Sequence, residues 1–395
     1  MTTEELIAMS GRYIMSTYKR FPIVLSRGLG VHVWDHEGKA YLDLVGGIAV
    51  CALGHSHPRV VEAVKRQVEK LTHVSNLYHI ENQIQLARLL VENSCLDKVF
   101  FCNSGAEANE AAIKLARKHA SEHMDGRYEL ITMHDSFHGR TIATVTATGK
   151  AQFQAGFAPL PAGFRYVPYN DLAALEAAIT EHTCGVMVEP IQGEGGVVIP
   201  APGYLQGIRK ICDEKNLLMI VDEVQTGIGR TGTLFACERE DVAPDMITLA
   251  KALGNGFPIG ALMATERIAA AFVPGSHGST FGGNPLATAA GIATLETIFA
   301  EGILENCQRV GDYFLAGLGD LKQKNSRVKE VRGRGLILAI ELTLPGAEFV
   351  DKCLQRGLLI NCTNGNVLRF VPPLILTKSD VDKALGILAE VLEEP

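Results

Sequence analysis

From Pro58 onward, Val60, Val61, Val64, Val68 and Leu71 recur at helical spacing with lysines and glutamates between them. That pattern predicts a helix with one buried face. Before it, strand-like stretches at 30–34 and 40–44 flank a polar turn at 36–39, the signal of a hairpin. Beyond it, short apolar runs at 99–102, 129–133, 185–188, 217–221 and 246–249 alternate with helical patterns at 107–119, 172–180 and 203–215. Apolar runs separated by helices predict an α/β fold, a mostly parallel sheet covered on both faces.

The order changes near residue 285. Helical stretches at 286–299 and 303–322 lead to strands near 328–332 and 336–342. A last helix opens at Thr377 or Ser379, with Asp380 or Asp382 near its third position, where such side chains satisfy orphan N–H groups. The expected organisation is a large domain over 58–285 and a smaller α+β domain over 286–395.

Composition narrows the classes. The chain has 395 residues, 47% hydrophobic and 21% charged, long enough to bury about three quarters of its unfolded surface. Lysine and arginine number 37 against 44 acidic residues, a formal charge of −7 with no run of five like charges. Nucleic-acid and membrane-surface roles therefore have no electrostatic footprint. No apolar run approaches a bilayer span, and residues 1–5 lack the character of a secretory signal. Nine scattered cysteines contain no Cys-x-x-Cys pair, which predicts reduced thiols in a cytoplasmic protein, with neither zinc nor disulfides.

The candidate chemistry clusters where strands end. Lys251 follows the apolar run 246–249 among small and apolar neighbours. Desolvation lowers the pKa of such a lysine, as a Schiff-base amine requires. On Lys251 alone, a surface lysine at a strand end remains an equal reading. Asp222 and Glu223 close the buried strand 217–221. Ser104, Gly105 and Ala106 begin a helix after strand 99–102, a natural phosphate site. Phe137 and Arg140 follow strand 129–133, offering a flat ring and a planar fork for a carboxylate. Glu189 and Glu194 follow strand 185–188. Ligands bind open sheets at this edge. The nucleotide loops fail: there is no Gly-x-x-x-x-Gly-Lys-[Ser/Thr], and Gly28-Leu29-Gly30 lacks a third glycine.

Those residues, with Leu53-Gly54-His55-Ser56-His57-Pro58, Ser75-Asn76-Leu77-Tyr78, Asp222-Glu223-Val224-Gln225-Thr226-Gly227, Lys251-Ala252-Leu253-Gly254, Ser279-Thr280-Phe281-Gly282-Gly283-Asn284-Pro285 and Arg369-Phe370-Val371-Pro372-Pro373, give the chain its family likeness. It resembles the class III, fold type I pyridoxal-phosphate aminotransferases over nearly its whole length, and most closely the acetylornithine aminotransferases. The resemblance implies a seven-stranded-type sheet in the large domain and a small domain from both chain ends, residues 1–57 belonging mainly to the latter. It implies that Lys251 joins the cofactor aldehyde and Asp222 holds the pyridine nitrogen protonated. Val224 and Phe137 flank the ring, Gln225 lies near its 3′-oxygen, and Ser104, Gly105, Ala106 and Glu223 complete the cofactor contacts. Thr280 reaches the phosphate of a second subunit, which implies a homodimer. Arg140, Ser279 and Tyr18 contact substrate, and Glu194 pairs with Arg369.

The expected reaction moves an amino group from N2-acetyl-L-ornithine to 2-oxoglutarate by ping-pong kinetics, a step of arginine biosynthesis. Other ω-amine donors remain open: N-succinylornithine, succinyl-diaminopimelate, ornithine and 4-aminobutyrate. A pyridoxal-phosphate racemase or decarboxylase is the second class, and the Glu194–Arg369 pair argues against it. Ornithine aminotransferases typically carry tyrosine where this chain has Ile48, which favours a donor with a blocked amine here. His134, Asp135 and Asn255 read as solvated loop residues, and His55 and His57 as structural turn residues.

Overall fold

The computed structural model describes residues 1–394. Its centre is a seven-stranded sheet whose order across is Lys98–Cys102, Gly260–Ala264, Met246–Leu249, Leu218–Asp222, Thr183–Val188, Glu129–Met133, Phe164–Val167. Gly260–Ala264 runs antiparallel to both neighbours, and the other pairings are parallel. All the parallel strands therefore present their carboxyl ends to one edge. Every residue of Glu129–Met133, Thr183–Val188, Leu218–Asp222 and Met246–Leu249 is buried, as expected for strands covered by helices on both faces.

Two strands of this sheet escape the apolar-run signal. Phe164–Val167 is a half-exposed edge strand. Gly260–Ala264 opens on a glycine because it passes close to a loop: a Cβ on Gly260 would lie 2.4 Å from the Ser104 carbonyl oxygen. The helices Thr3–Tyr13 and Glu81–Glu92 lie outside the elements that the sequence pattern predicts. Leu71 lies beyond the Pro58–Val68 helix and is exposed.

Two four-stranded sheets complete the fold. One joins Leu25–Leu29, His32–Asp35 and Ala40–Asp43 to Leu358–Leu359, so the chain's first hairpin pairs with a strand near its end. The other contains Val328–Arg334, Ile337–Leu342, Val367–Phe370 and Asn361–Thr363. The last helix, Lys378–Glu393, is capped by Thr377 and Asp380 as a reciprocal pair. No single helix is long and apolar enough to cross a membrane, and among the described residues no cluster has metal-ligand character. The nine cysteines are free, six of them buried.

Candidate active site

Five strand ends and the start of the antiparallel strand enclose a cavity of about 370 Å³. Its walls include Ser104, Gly105, Ala106, Asn109, Phe137, His138, Arg140, Glu189, Asp222, Val224, Gln225 and Lys251. The sequence motifs that supply these residues are separated by whole βα units, and the parallel strands return each of them to one edge.

Lys251 is placed by a break in the chain. Strand Met246–Leu249 ends, Ala250 turns out of strand conformation with ψ −138°, and Lys251 takes the left-handed conformation with φ 43° at the head of a single 3-10 turn, Lys251–Gly254. Non-glycine residues occupy that region at a cost and hold it where surroundings over-determine it. Its side chain lines the cavity yet is surrounded by protein. Burial lowers the Lys251 pKa to about 8, with Glu194 opposing and Arg369 assisting the shift. A sizeable fraction of the amine is thus neutral near physiological pH.

Asp222, buried at the end of its strand, is held on both oxygens. Its Oδ1 accepts from the Val224 N–H at 3.0 Å. Its Oδ2 contacts His138 Nδ1 at 2.7 Å and accepts from Asn109 Nδ2 at 2.7 Å. Asn109 also donates to the His138 carbonyl at 2.7 Å, so carboxylate, imidazole and amide fix one another. Burial would lower the His138 pKa, but the Asp222 hydrogen bond and charge outweigh it and the net shift is upward. Asn109 Oδ1 and His138 Nε2 are buried without a hydrogen-bond partner.

The helix Gly105–His123 begins at the cavity. Ser104 caps it by accepting from the Glu107 N–H at 3.2 Å, and Glu107 returns a carboxylate to the Asn103 N–H at 2.9 Å. Gly105 and Ala106, its first two residues, have N–H groups without intrahelical partners, at the positive end of the helix dipole. A Cβ on Gly105 would lie 2.7 Å from Val224, so the two loops touch only because glycine stands there. Glu189 accepts from the Phe137 N–H at 3.0 Å, and burial raises its pKa to about 7.

A second cavity of about 700 Å³ contains Ile48, Lys150, Phe153, Glu194, Asn364 and Arg369. Arg369 is buried, and its Nη1 lies 2.5 Å from Glu194 Oε1. Gln225 bridges to this pair, accepting from Arg369 at 3.3 Å and donating to Glu194 at 3.5 Å, and so links the two cavities. Arg140 is exposed, with its guanidinium carbon 3.9 Å from the Phe153 ring centroid. The sequence-predicted set is thus largely assembled.

Two expected residues are not brought in. Glu223 turns into the core, accepting from Thr226 Oγ1 at 2.5 Å and from the Cys237 N–H at 2.9 Å; consecutive residues at a strand end face opposite sides, and Asp222 has the cavity side. Tyr18 is 73% exposed and lines neither cavity. Thr280 is exposed on the surface beside Ser279, while Ser279 Oγ accepts from Asn103 Nδ2 at 3.2 Å at the cavity's edge. Asn255 also departs from expectation. It is buried in left-handed conformation, accepting from the Leu53 N–H at 2.8 Å and donating to the Gly54 carbonyl at 3.2 Å. His134 and Asp135 are exposed loop residues as expected. His138, Asn109 and Glu189 were within or near quoted motifs but had no assigned role; only the fold reveals their partners.

The pattern of aminotransferase class-III matches residues 13–392. An acetylornithine aminotransferase from Caldanaerobacter subterraneus is 56% identical over 391 residues, covering 98% of this chain and 99% of that protein. Another, from Methanocaldococcus jannaschii, is 50% identical over 398 residues, covering 100% and 99%. Among solved structures, the ornithine aminotransferase of Toxoplasma gondii superposes with a TM-score of 0.96 at 37% identity, covering 99% of this chain and 95% of that one. The N-acetylornithine aminotransferase of Stenotrophomonas maltophilia does so with 0.83 at 40% identity, covering 98% of each. With a buried amine, a fixed carboxylate and a helix N-terminus meeting at one sheet edge, and with this likeness over nearly its full length, the chain belongs to the class-III aminotransferase family.

Proposed function

We propose that this chain transfers the terminal amino group of N2-acetyl-L-ornithine to 2-oxoglutarate with pyridoxal phosphate as cofactor, giving N-acetyl-L-glutamate 5-semialdehyde and L-glutamate. The observation that carries the reading is a neutralised cation: Arg369, buried and paired with Glu194, whose charge acts on Lys251. The relatives named acetylornithine aminotransferases support the donor.

The site fits the cofactor. Its cavity has a partly neutral amine, a carboxylate held in one orientation, unpartnered first-turn N–H groups and two orphaned buried polar atoms. When bound, pyridoxal phosphate supplies an aldehyde that carries the amino group and a ring that takes up the substrate carbon's electron pair. Lys251 would hold the aldehyde, and its Nζ would move the proton at the substrate carbon. Asp222 would keep the ring nitrogen protonated, a charge-assisted contact contributing about 1.5–3 kcal/mol; His138 and Asn109 hold the carboxylate in place. Phe137 and Val224 would hold the ring, and Gly105 and Ala106 the phosphate, with Thr280 of a second copy.

Arg140 and Ser279 serve the substrate's distal end. A donor reacting through its terminal amine brings no carboxylate beside the reacting carbon, so an intact Glu194–Arg369 pair leaves that region neutral. Glutamate brings one, and Arg369 released from Glu194 receives it. Ile48 offers no hydrogen bond to a free α-ammonium, which favours the acylated donor.

The same reading includes a homodimer, a cytoplasmic location and a division into a large domain over 58–285 and a small one from both chain ends. The pairing of Ala40–Asp43 with Leu358–Leu359 supports that division. An exposed apolar patch supports the dimer: Leu77, Tyr78 and Phe281 beside Thr280, knitted by Asn76 donating to the Ser279 and Gly282 carbonyls.

Adding glutamate to the holoprotein is expected to replace the aldehyde absorbance with that of the aminated cofactor, and 2-oxoglutarate to restore it. N-acetylornithine is expected to give the fastest conversion among acylated and free ω-amines. No conversion by any of them would sink the aminotransferase reading in favour of a racemase or decarboxylase; a faster free ornithine or 4-aminobutyrate would change only the donor.

A further inference from the structure

Glu194 belongs to a short loop whose ends are zipped by Gln192 and Val198, each N–H donating to the other's carbonyl at 3.2 and 3.0 Å. Inside it the backbone is unusual. Gly196 has φ 104°, and Val197, buried and β-branched, has φ 53°. A β-branched residue keeps a left-handed conformation only where its surroundings over-determine it.

Those surroundings are side chains gripping four consecutive carbonyls. Lys150 Nζ donates to the Glu194 carbonyl at 3.1 Å. Asn364 Nδ2 donates to that of Gly195 at 2.5 Å. Arg332 donates to those of Gly196 and Val197 at 2.8 and 3.0 Å. Two of the three grips are joined, since Lys150 also donates to Asn364 Oδ1 at 3.1 Å. Lys150 is 7% exposed, and the nearest carboxylate oxygen, on Asp135, is 4.0 Å away. Asn364 sits in the turn between Asn361–Thr363 and Val367–Phe370, and the second of these strands carries Arg369. The Lys150–Asn364 contact therefore ties the loop bearing Glu194 to the hairpin bearing its partner.

We propose that Lys150 is a positioning residue: together with Asn364 and Arg332 it fixes the backbone at 194–197, so that exchange between substrates is confined to the Glu194 side chain. This rests on reading Glu194–Arg369 as an exchangeable pair. A buried lysine committed to a backbone carbonyl and a side-chain amide is thereby accounted for, as is the strain at Val197. With the clamp intact the carboxylate stands preformed against Arg369, as the ω-amine donor requires. Without it Glu194 samples other positions, and an unneutralised arginine faces the donor; glutamate, which needs Arg369 free, is little affected.

The test measures the two half-reactions separately on the holoenzyme, with N-acetylornithine and with glutamate, following the cofactor spectrum. Loss of one bond to a charged donor predicts that Lys150→Met lowers kcat/KM for N-acetylornithine about tenfold and leaves glutamate within about twofold. Lys150→Arg is expected to restore most of the loss. Because Lys150 acts through Glu194, adding Lys150→Met to Glu194→Ala is expected to slow the donor half-reaction no further. Equal losses in both half-reactions, or additive losses in the double variant, would overturn the proposal. Should Lys150→Met not fold, Asn364→Ala is judged by the same criteria. If Glu194→Ala itself changes both half-reactions equally, the exchangeable-pair reading fails; if that variant is asymmetric and Lys150→Met is not, the clamp alone fails.

Discussion

Lys251 Nζ is kept below the ordinary lysine value by burial, against the pull of Glu194. The sign of the consequence is fixed: an ammonium cannot attack an aldehyde, so capture of the cofactor requires the neutral amine. In cofactor-free protein the capture rate is expected to rise with pH to a midpoint near 8, not near the unperturbed 10.5. Stopped-flow absorbance across pH reads this directly, and a midpoint near 10 would contradict the burial described above. At this scale the sequence was informative where chemistry is local. A lysine flanked by apolar and small residues, and an aspartate ending an apolar run, declare themselves. Glu223 was misplaced because two adjacent carboxylates look alike in sequence while the alternation of a strand end gives only one of them the cavity. His138 was passed over because its value lies in a partner from another strand.

The element that meets the second cavity is the turn Gly46–Ala49. Ile48 and Ala49 both have positive φ, 66° and 62°, which a β-branched residue adopts only under constraint. Asp43 supplies that constraint, accepting from the Val45 and Gly46 N–H groups at 2.9 Å each, with His55 Nε2 against its other oxygen at 2.8 Å. The Asp43 hydrogen bond raises the His55 pKa to about 10. The folded state thus binds this proton more tightly than the unfolded chain. The stabilisation is complete below the unfolded value of 6.5 and fades as pH climbs to 10. His55→Gln is expected to lose on the order of 1–3 kcal/mol of unfolding free energy at pH 6, a deficit that shrinks toward pH 10. Denaturant titrations of both proteins at several pH values check it, and a deficit growing with pH would refute the assignment. Buried strands were legible in sequence, Glu129–Met133 and Met246–Leu249 to the residue, because an apolar run bounded by turns leaves little choice. The helix Thr3–Tyr13 carried a Thr2–Glu5 capping box but buries no residue, so its apolar periodicity was faint.

For the molecule as a whole, the exposed patch at Leu77, Tyr78 and Phe281 is the feature a lone chain leaves unexplained. If it meets a second copy, Phe281→Glu places a charge in an apolar contact and is expected to yield a monomer that loses its cofactor on dialysis. Sedimentation with cofactor absorbance measures both; a dimeric holoprotein would remove this patch from the interface. The parallel α/β architecture was legible because alternating elements permit few topologies. Sheet order was not, since Gly260–Ala264 opens on glycine and has no β-branched residue, and so does not resemble a strand.

That same strand governs how the chain is assembled in time. Among the described residues, Lys98–Cys102, the first strand of the large sheet in sequence, has Gly260–Ala264, the last, as its only neighbour. The strand that launches the Gly105–His123 helix therefore waits, unpaired on both sides, until the ribosome has delivered nearly the whole of the sheet. Such distant pairing closes slowly and leaves a bare edge in nascent chains. Shortened proteins ending before Gly260 are accordingly expected to aggregate, since Lys98–Cys102 then keeps both of its edges bare.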